Sequence, residues 1–313
     1  MSENRLTLTV AIPSYNKSLY IKRCIESILR DKKSIDEIIL VDNASTDSTY
    51  KIAKEFENDL KCYKNDSNLG MSGNWNRCIE LCKTDLLMIF HADDELLPGS
   101  IDKYRYFFDK YPKVGLVHAD AIFIKNGDFA SAIYQKTDKK EIRNAGEEAI
   151  DMPGNYCSTV IVKKEVYDNL SGFMLESCAS DIEMWRRIGS KYDIGHIGEA
   201  TVYYHSNNDS YGSVSLATRT VEEILKDWDL INKKVMSYYP ENVRTNKKEQ
   251  LAKVAKAQLT SGLAAVLMAN IKAGKYKKSL KIILMIIFKY GGFFQLVKLF
   301  GDYFVYRFKK LLK

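Results

Sequence analysis

The sequence predicts an α/β protein with a layered sheet of mixed but mainly parallel strands and a C-terminal helical extension. Three observations carry this. Short β-branched, apolar runs alternate with stretches of helical apolar spacing, one turn-rich tripeptide interrupts that alternation, and beyond about residue 215 only helical spacing continues.

Residues 6–12 are β-branched and apolar until Pro13, and residues 20–29 repeat apolar side chains at helical spacing, which reads as strand then helix. Residues 37–41 (EIILV) form a buried-strand run. After it Ser45 or Thr46 can cap a helix reaching about Asn58, with Ile52, Ala53 and Phe56 on one face. Residues 60–63 are a weaker strand, 72–82 a helix, 86–90 (LLMIF) another buried strand, and Pro98 marks the first turn of the next helix. A strand follows at 114–118. Residues 121–124 and 129–134 flank Asn126-Gly127-Asp128 and predict a hairpin. Strand 155–162, helix 181–191 and strand 201–204 complete a domain spanning 1–215, and 216–313 form the extension. Such alternation implies right-handed crossovers in a Rossmann-like sheet, with ligands at the carboxyl ends of its strands.

With 313 residues and 46% hydrophobic content the chain can fill a sizeable core. The formal charge of +7 is unevenly placed. From residue 271 to 313 eleven Lys and Arg face one acid, Asp302, so the body before it is mildly acidic and a nucleic-acid-binding body is excluded. Six scattered cysteines without a CxxC pair read as reduced thiols; Cys78 and Cys82 share a helix face as core residues. No apolar signal region stands before residue 6, so the expectation is a chain that is not exported.

No GxxxxGK[ST] or GxGxxG loop follows any strand, which disfavours an ATP or dinucleotide enzyme. Polar residues stand instead at successive strand ends: Ser14, Tyr15 and Asn16, then Asp42 and Asn43, then His91, Asp93 and Asp94. Asp42 can accept from a base N–H or a ribose hydroxyl, or serve as a turn residue; Tyr15 can stack on a base or cover the sheet edge. Asp93 and Asp94 have no Lys or Arg within the six preceding positions, so a divalent cation is their natural partner, with a helix-capping turn as the alternative.

VAIPSYNKSLYIKRCIESIL, EIILVDNASTDST, NLGMSGNWNRCIE and LMIFHADDELLPGS, in this order, resemble the family 2 inverting glycosyltransferases of the GT-A fold over residues 6–215. The resemblance implies that Pro13, Tyr15, Asn16, Asp42, Asn74 and Asp93 bind the nucleotide and that Asp93 and Asp94 hold Mg²⁺ or Mn²⁺. His91 stands where the usual Asp-x-Asp begins. In CASDIEMWRRIG, Asp181 matches the catalytic base and Trp185 an acceptor platform, each with a bland alternative as helix cap or packing residue. Residues 203–210 resemble the histidine motif, in which His205 can close over the diphosphate or bind the metal.

Residues 279–313 combine short apolar runs with Lys289, Lys298, Arg307, Lys309 and Lys310, and no run is long enough to span a bilayer. They are expected to lie on an anionic membrane surface, or to pack as helices. The expected activity is transfer from a nucleotide sugar, a UDP-sugar foremost, to a glycan or polyprenyl-diphosphate-linked acceptor. The expected location is cytoplasmic, on the inner face of the cell membrane. A non-catalytic glycan-binding protein and a nucleotidyltransferase are the competing classes.

Overall fold

The computed structural model describes residues 5–125, 128–136, 139–150, 156–175, 177, 179–206, 220–272, 276–284 and 286–287. The chain divides into two compact units, 1–207 and 208–313. The expected boundary at 215 falls outside the described residues.

The first unit holds one sheet. Its strands are β1 (Leu8–Ser14), β2 (Glu37–Asp42), β3 (Lys61–Lys64), β4 (Leu86–Ile89), β5 (Glu95–Leu96), β6 (Leu116–Lys125), β7 (Asp128–Gln135), β8 (Ile142–Arg143), β9 (Val160–Lys163) and β10 (Ile194–Ser206). Its helices are α1 (Ile21–Leu29), α2 (Thr49–Lys54), α3 (Gly70–Leu81), α4 (Ser100–Lys110), α5 (Lys164–Asn169) and α6 (Ser180–Gly189). The strand order is β3-β2-β1-β4-β9-β6-β10-β5, with β7 on β6 and β8 on β10. β1 pairs in parallel with β2 and β4; β9 is antiparallel to both β4 and β6; β10 runs parallel to β6. The carboxyl ends of β1, β2, β4 and β10 therefore share one edge. The order reverses beside β1, which opens a crevice there.

Alternation along the strands builds two cores. Leu8, Val10 and Ile12 face Ile21, Cys24, Ile25 and Ile28 of α1 and Ile101, Tyr104 and Phe108 of α4. Ala11, Ile39, Val41, Leu87 and Ile89 face Trp75, Cys78 and Ile79 of α3 and Met184, Trp185 and Ile188 of α6. A sheet covered on both faces explains why its strands read as continuous apolar runs. Cys24, Cys62, Cys78, Cys82 and Cys157 are free thiols, and burial pushes those of Cys24, Cys78 and Cys157 up, away from reactivity.

Several boundaries differ from expectation, each for a local reason. The runs at 114–118 and 121–124 are one strand, β6. Asp120, which reads as a break, is fully buried and partnered by His196 Nε2 at 2.9 Å and the Tyr134 hydroxyl at 2.7 Å. β6 and β7 pair antiparallel as the hairpin requires, while Asn126 and Gly127 lie outside the described residues. β10 is longer than expected because register shifts between Ile197 and Ala200 and between Ala200 and Val202 absorb Gly198 and Glu199. α4 begins after Pro98, at Ser100 with Gly99 (φ +74) as its N-cap, and Asp31 accepts from the Gly99 and Ile101 N–H groups at 2.7 and 3.1 Å. A distant carboxylate thus caps this helix.

The second unit is helical: α7 (Val221–Tyr238), α8 (Glu241–Asn246), α9 (Lys248–Lys272) and α10 (Tyr276–Leu284). Thr220 and Glu223 cap α7 reciprocally. Ile224, Leu263, Val266, Leu267, Ile282 and Ile286 form its core. Among the described residues no helix is long and apolar enough to cross a membrane. Residues 288–313, most of the expected membrane segment, lie outside the described residues.

Candidate active site

The loops after β1 and β2 are knitted together. Asn16, at φ +51, donates its N–H to Ser45 Oγ (2.9 Å) and accepts from the Thr46 N–H (2.9 Å). Ser45 in turn donates its N–H to Asp42 Oδ2 at 3.0 Å. Ser45 and Thr46 therefore brace the turn instead of capping α2, which starts later, at Thr49. Asp42 fills the turn role. One oxygen closes the turn, and the other, Oδ1, is buried without a partner. Ser14 Oγ, at the end of β1, is likewise buried and unpaired. Pro13 is partly buried in β1, and Tyr15 stands 43% exposed beside it, open to stacking.

Asn74 lies on α3. It is buried, donates to the Val41 carbonyl at 3.0 Å and accepts from Asn65 Nδ2 at 2.9 Å. Asn65 and Asn68 also bind Asn43. Its amide fastens α3 to β2.

At the end of β4, ligand atoms of His91, Asp93 and Asp94 lie within 4.8 Å of one another. Each Asp94 oxygen accepts one hydrogen bond, from the Ser158 hydroxyl (2.5 Å) and the His205 N–H (2.9 Å), and Ser158 Oγ accepts from the His91 N–H (3.0 Å). Burial and the neighbouring Asp93 push the Asp94 carboxyl up. His91 stacks on Trp75 with centroids 5.6 Å apart, burial pushes its imidazole pKa down, and its Nε2 is buried and unpartnered. A neutral imidazole beside carboxylates is a donor set that Mn²⁺ accepts. His205 is not one of the three. Its Nε2 meets Glu95 Oε1 at 2.8 Å, and its Nδ1 is buried and unpaired.

The carboxylates do have protein cations beside them, which their sequence neighbourhood did not indicate. Lys17 Nζ is 2.8 Å from Asp93 Oδ2, and Arg23 reaches the Asp93 carbonyl (3.1 Å) and Glu95 (3.1 Å). Both come from the segment after β1.

Asp181 opens α6, partly exposed, with Oδ1 accepting the Ile182 N–H at 2.8 Å. Its desolvated surroundings push its carboxyl up to about 6. Trp185 is only 1% exposed and packs edge-on against Phe173 at 5.9 Å, so it belongs to the core and offers no platform. Sequence reasoning missed another aromatic group, Phe123, Tyr156 and Tyr204, all partly exposed with centroids 4.5 to 5.0 Å apart. Tyr204 adjoins His205. Burial pushes its phenol up, and the charges of Asp94, Asp93 and Asp181 act in the same direction. A cavity of about 570 Å³ lined by Lys103, Tyr106 and His196 lies near the start of β10 and includes none of these residues.

The sheet reverses order beside β1 and gathers acids, imidazoles and unpaired buried polar atoms at one edge, on a fold of the GT-A type. Residues 9–171 match the family described as Glycosyl transferase family 2, and the chain belongs to it. It is 27% identical over 215 residues to an uncharacterized glycosyltransferase of Methanocaldococcus jannaschii, covering 65% of this chain and 72% of that protein. It spans about a third, 35%, of an uncharacterized Mycobacterium tuberculosis protein, with 34% identity over 113 residues, which are 36% of this chain. Two solved structures share the fold. S. aureus TarS 1–349 in complex with UDP-GlcNAc has a TM-score of 0.61 and 18% identity, covering 84% of this chain and 81% of that one. The mannosyltransferase PcManGT of Pyrobaculum calidifontis, in complex with GDP-Man and Mn²⁺, has a TM-score of 0.56 and 18% identity, covering 95% and 85%.

Proposed function

We propose that this glycosyltransferase moves a sugar from a nucleoside-diphosphate donor, a UDP-sugar, to a glycan hydroxyl with inversion. The observation that carries this is the cluster of His91, Asp93 and Asp94 at the end of β4, whose ligand atoms lie within 4.8 Å of one another; Asp181, in the first turn of α6, is the carboxyl proposed as the base. Inverting displacement needs one base on the acceptor side and charge stabilisation on the leaving-group side. Asp42 Oδ1 and Ser14 Oγ are free to meet the nucleoside, Tyr15 to stack on its base, and Tyr156 and Tyr204 to flank the acceptor. Asp93, His91 and Asp94 would hold Mn²⁺ or Mg²⁺, with His205 above the diphosphate. When bound, the ion neutralises charge developing on the departing diphosphate. UDP-GlcNAc in TarS and GDP-Man with Mn²⁺ in PcManGT support a donor of this class.

Incubation with a panel of UDP- and GDP-sugars and Mn²⁺ or Mg²⁺ is expected to release nucleoside diphosphate with at least one donor. Release of pyrophosphate would instead mark a nucleotidyltransferase. Loss of release on chelation, restored by either ion, would identify the cofactor.

The acceptor proposed is a polyprenyl-diphosphate-linked glycan at the inner face of the cell membrane, held within reach by the basic, apolar residues of the tail. Because Ile282 and Ile286 pack in the core of the second unit, the informative truncation removes only 288–313. The 313-residue chain should float with anionic vesicles, less so as salt rises, and the truncated chain should stay behind. Equal flotation of both would put the membrane contact elsewhere.

A further inference from the structure

Lys17 carries an inference that rests on the cation-dependent donor site proposed above. Its main chain is fixed at the start of α1. The N–H donates to Thr49 Oγ1 at 2.7 Å, and the carbonyl accepts from the Tyr20 and Ile21 N–H groups at 2.9 Å each. Only the side chain is left to move. Its ammonium rests on Asp93 Oδ2 at 2.8 Å, in a contact largely shielded from solvent, with side-chain exposures of 14% and 11%. The same ammonium is 5.6 Å from the Tyr20 ring centroid, so an aromatic face borders its position.

The other charges nearby are committed elsewhere. Arg23 serves the Asp93 carbonyl and Glu95, and both Asp94 oxygens accept hydrogen bonds. Asp93 is thus the carboxylate of the cluster that pairs with a lysine side chain. A bare divalent ion joining His91 and Asp93 would meet the Lys17 ammonium at close range and leave it with no anion in a shielded site. An ion arriving with a diphosphate brings Lys17 a replacement anion. We infer that Lys17 is a resident counter-ion of the cation site: it holds off a bare divalent cation and turns to the donor's diphosphate when ion and donor arrive together. Ion and nucleotide are then coupled, each raising the other's affinity by the same factor.

The test is Mn²⁺ binding, followed by the electron paramagnetic resonance of the free ion and by calorimetry, with and without UDP. Wild-type protein should bind Mn²⁺ weakly alone and at least about tenfold more tightly with UDP. Lys17→Met should bind Mn²⁺ alone several-fold more tightly than wild type does, and UDP with Mn²⁺ several-fold more weakly, shrinking the coupling. Lys17→Arg keeps the charge and should keep the wild-type pattern, which provides a reading should the Met variant melt early. If Lys17→Met gains no affinity for Mn²⁺ alone, or loses none for UDP, the counter-ion role is overturned. If no protein binds Mn²⁺ even with UDP, the cation site itself fails, a distinct result.

Discussion

Asp93→Asn should lose transfer by roughly a hundredfold to a thousandfold or more, the scale of removing a principal electrostatic stabiliser at a reacting centre. An amide cannot neutralise a divalent cation, and it leaves Lys17, now 2.8 Å from the carboxylate, without its anion. Side chains around Asp93 otherwise keep their partners, since Asp94 is tied to Ser158 and His205 independently. The variant should therefore remain folded by circular dichroism while both sugar transfer and donor hydrolysis fall. Near-normal turnover would remove Asp93 from the cation site.

The second large effect is expected at Asp181. Asp181→Asn should cut acceptor-dependent transfer by about 10² to 10⁴, the range supplied by a positioned base, while UDP binding in the presence of Mn²⁺ stays within about twofold. The base works only when ionised. With its carboxyl pushed up to about 6, wild-type kcat/KM for the acceptor should rise with pH through that value and level off above it. Stability runs the other way. A carboxyl raised from 3.8 to about 6 binds more protons folded than unfolded across that window, so its contribution falls as pH rises through it. At neutral pH the Asn variant should melt no lower than wild type. Collapse of UDP affinity with surviving transfer would show the roles misassigned.

Periodicity made the sheet legible because a sheet covered by helices on both faces leaves apolar runs that only strands of that kind explain, as in EIILV and LLMIF. It failed where a polar residue is buried with partners distant in sequence. Asp120 reads as a strand break until His196 and Tyr134 are beside it. The same holds in the site. Strand-end residues Ser14, Asp42, His91 and Asp93 were legible from position alone, whereas Ser158, which bridges His91 and Asp94, carries no sequence mark and depends on β9 running antiparallel beside β4. Lys17 was visible next to Tyr15 and Asn16. Its proximity to Asp93, 76 positions away, belongs to the crossover geometry. Trp185 illustrates the converse, a motif position whose side chain the α6 packing turns inward.

Four buried polar atoms, Ser14 Oγ, Asp42 Oδ1, His91 Nε2 and His205 Nδ1, lie unpaired at the ends of β1, β2, β4 and β10. Each unmet group in a folded interior carries a penalty of about 1–3 kcal/mol unless something supplies its partner. A ligand that supplied those partners would bind the folded chain, so its occupancy would enter the folding equilibrium. At a hundredfold excess of ligand over its Kd, linkage adds about 2.7 kcal/mol to the native state. Proteolysis of the purified chain should then slow as a binding nucleotide sugar is added, because the ligand draws the population toward the folded state.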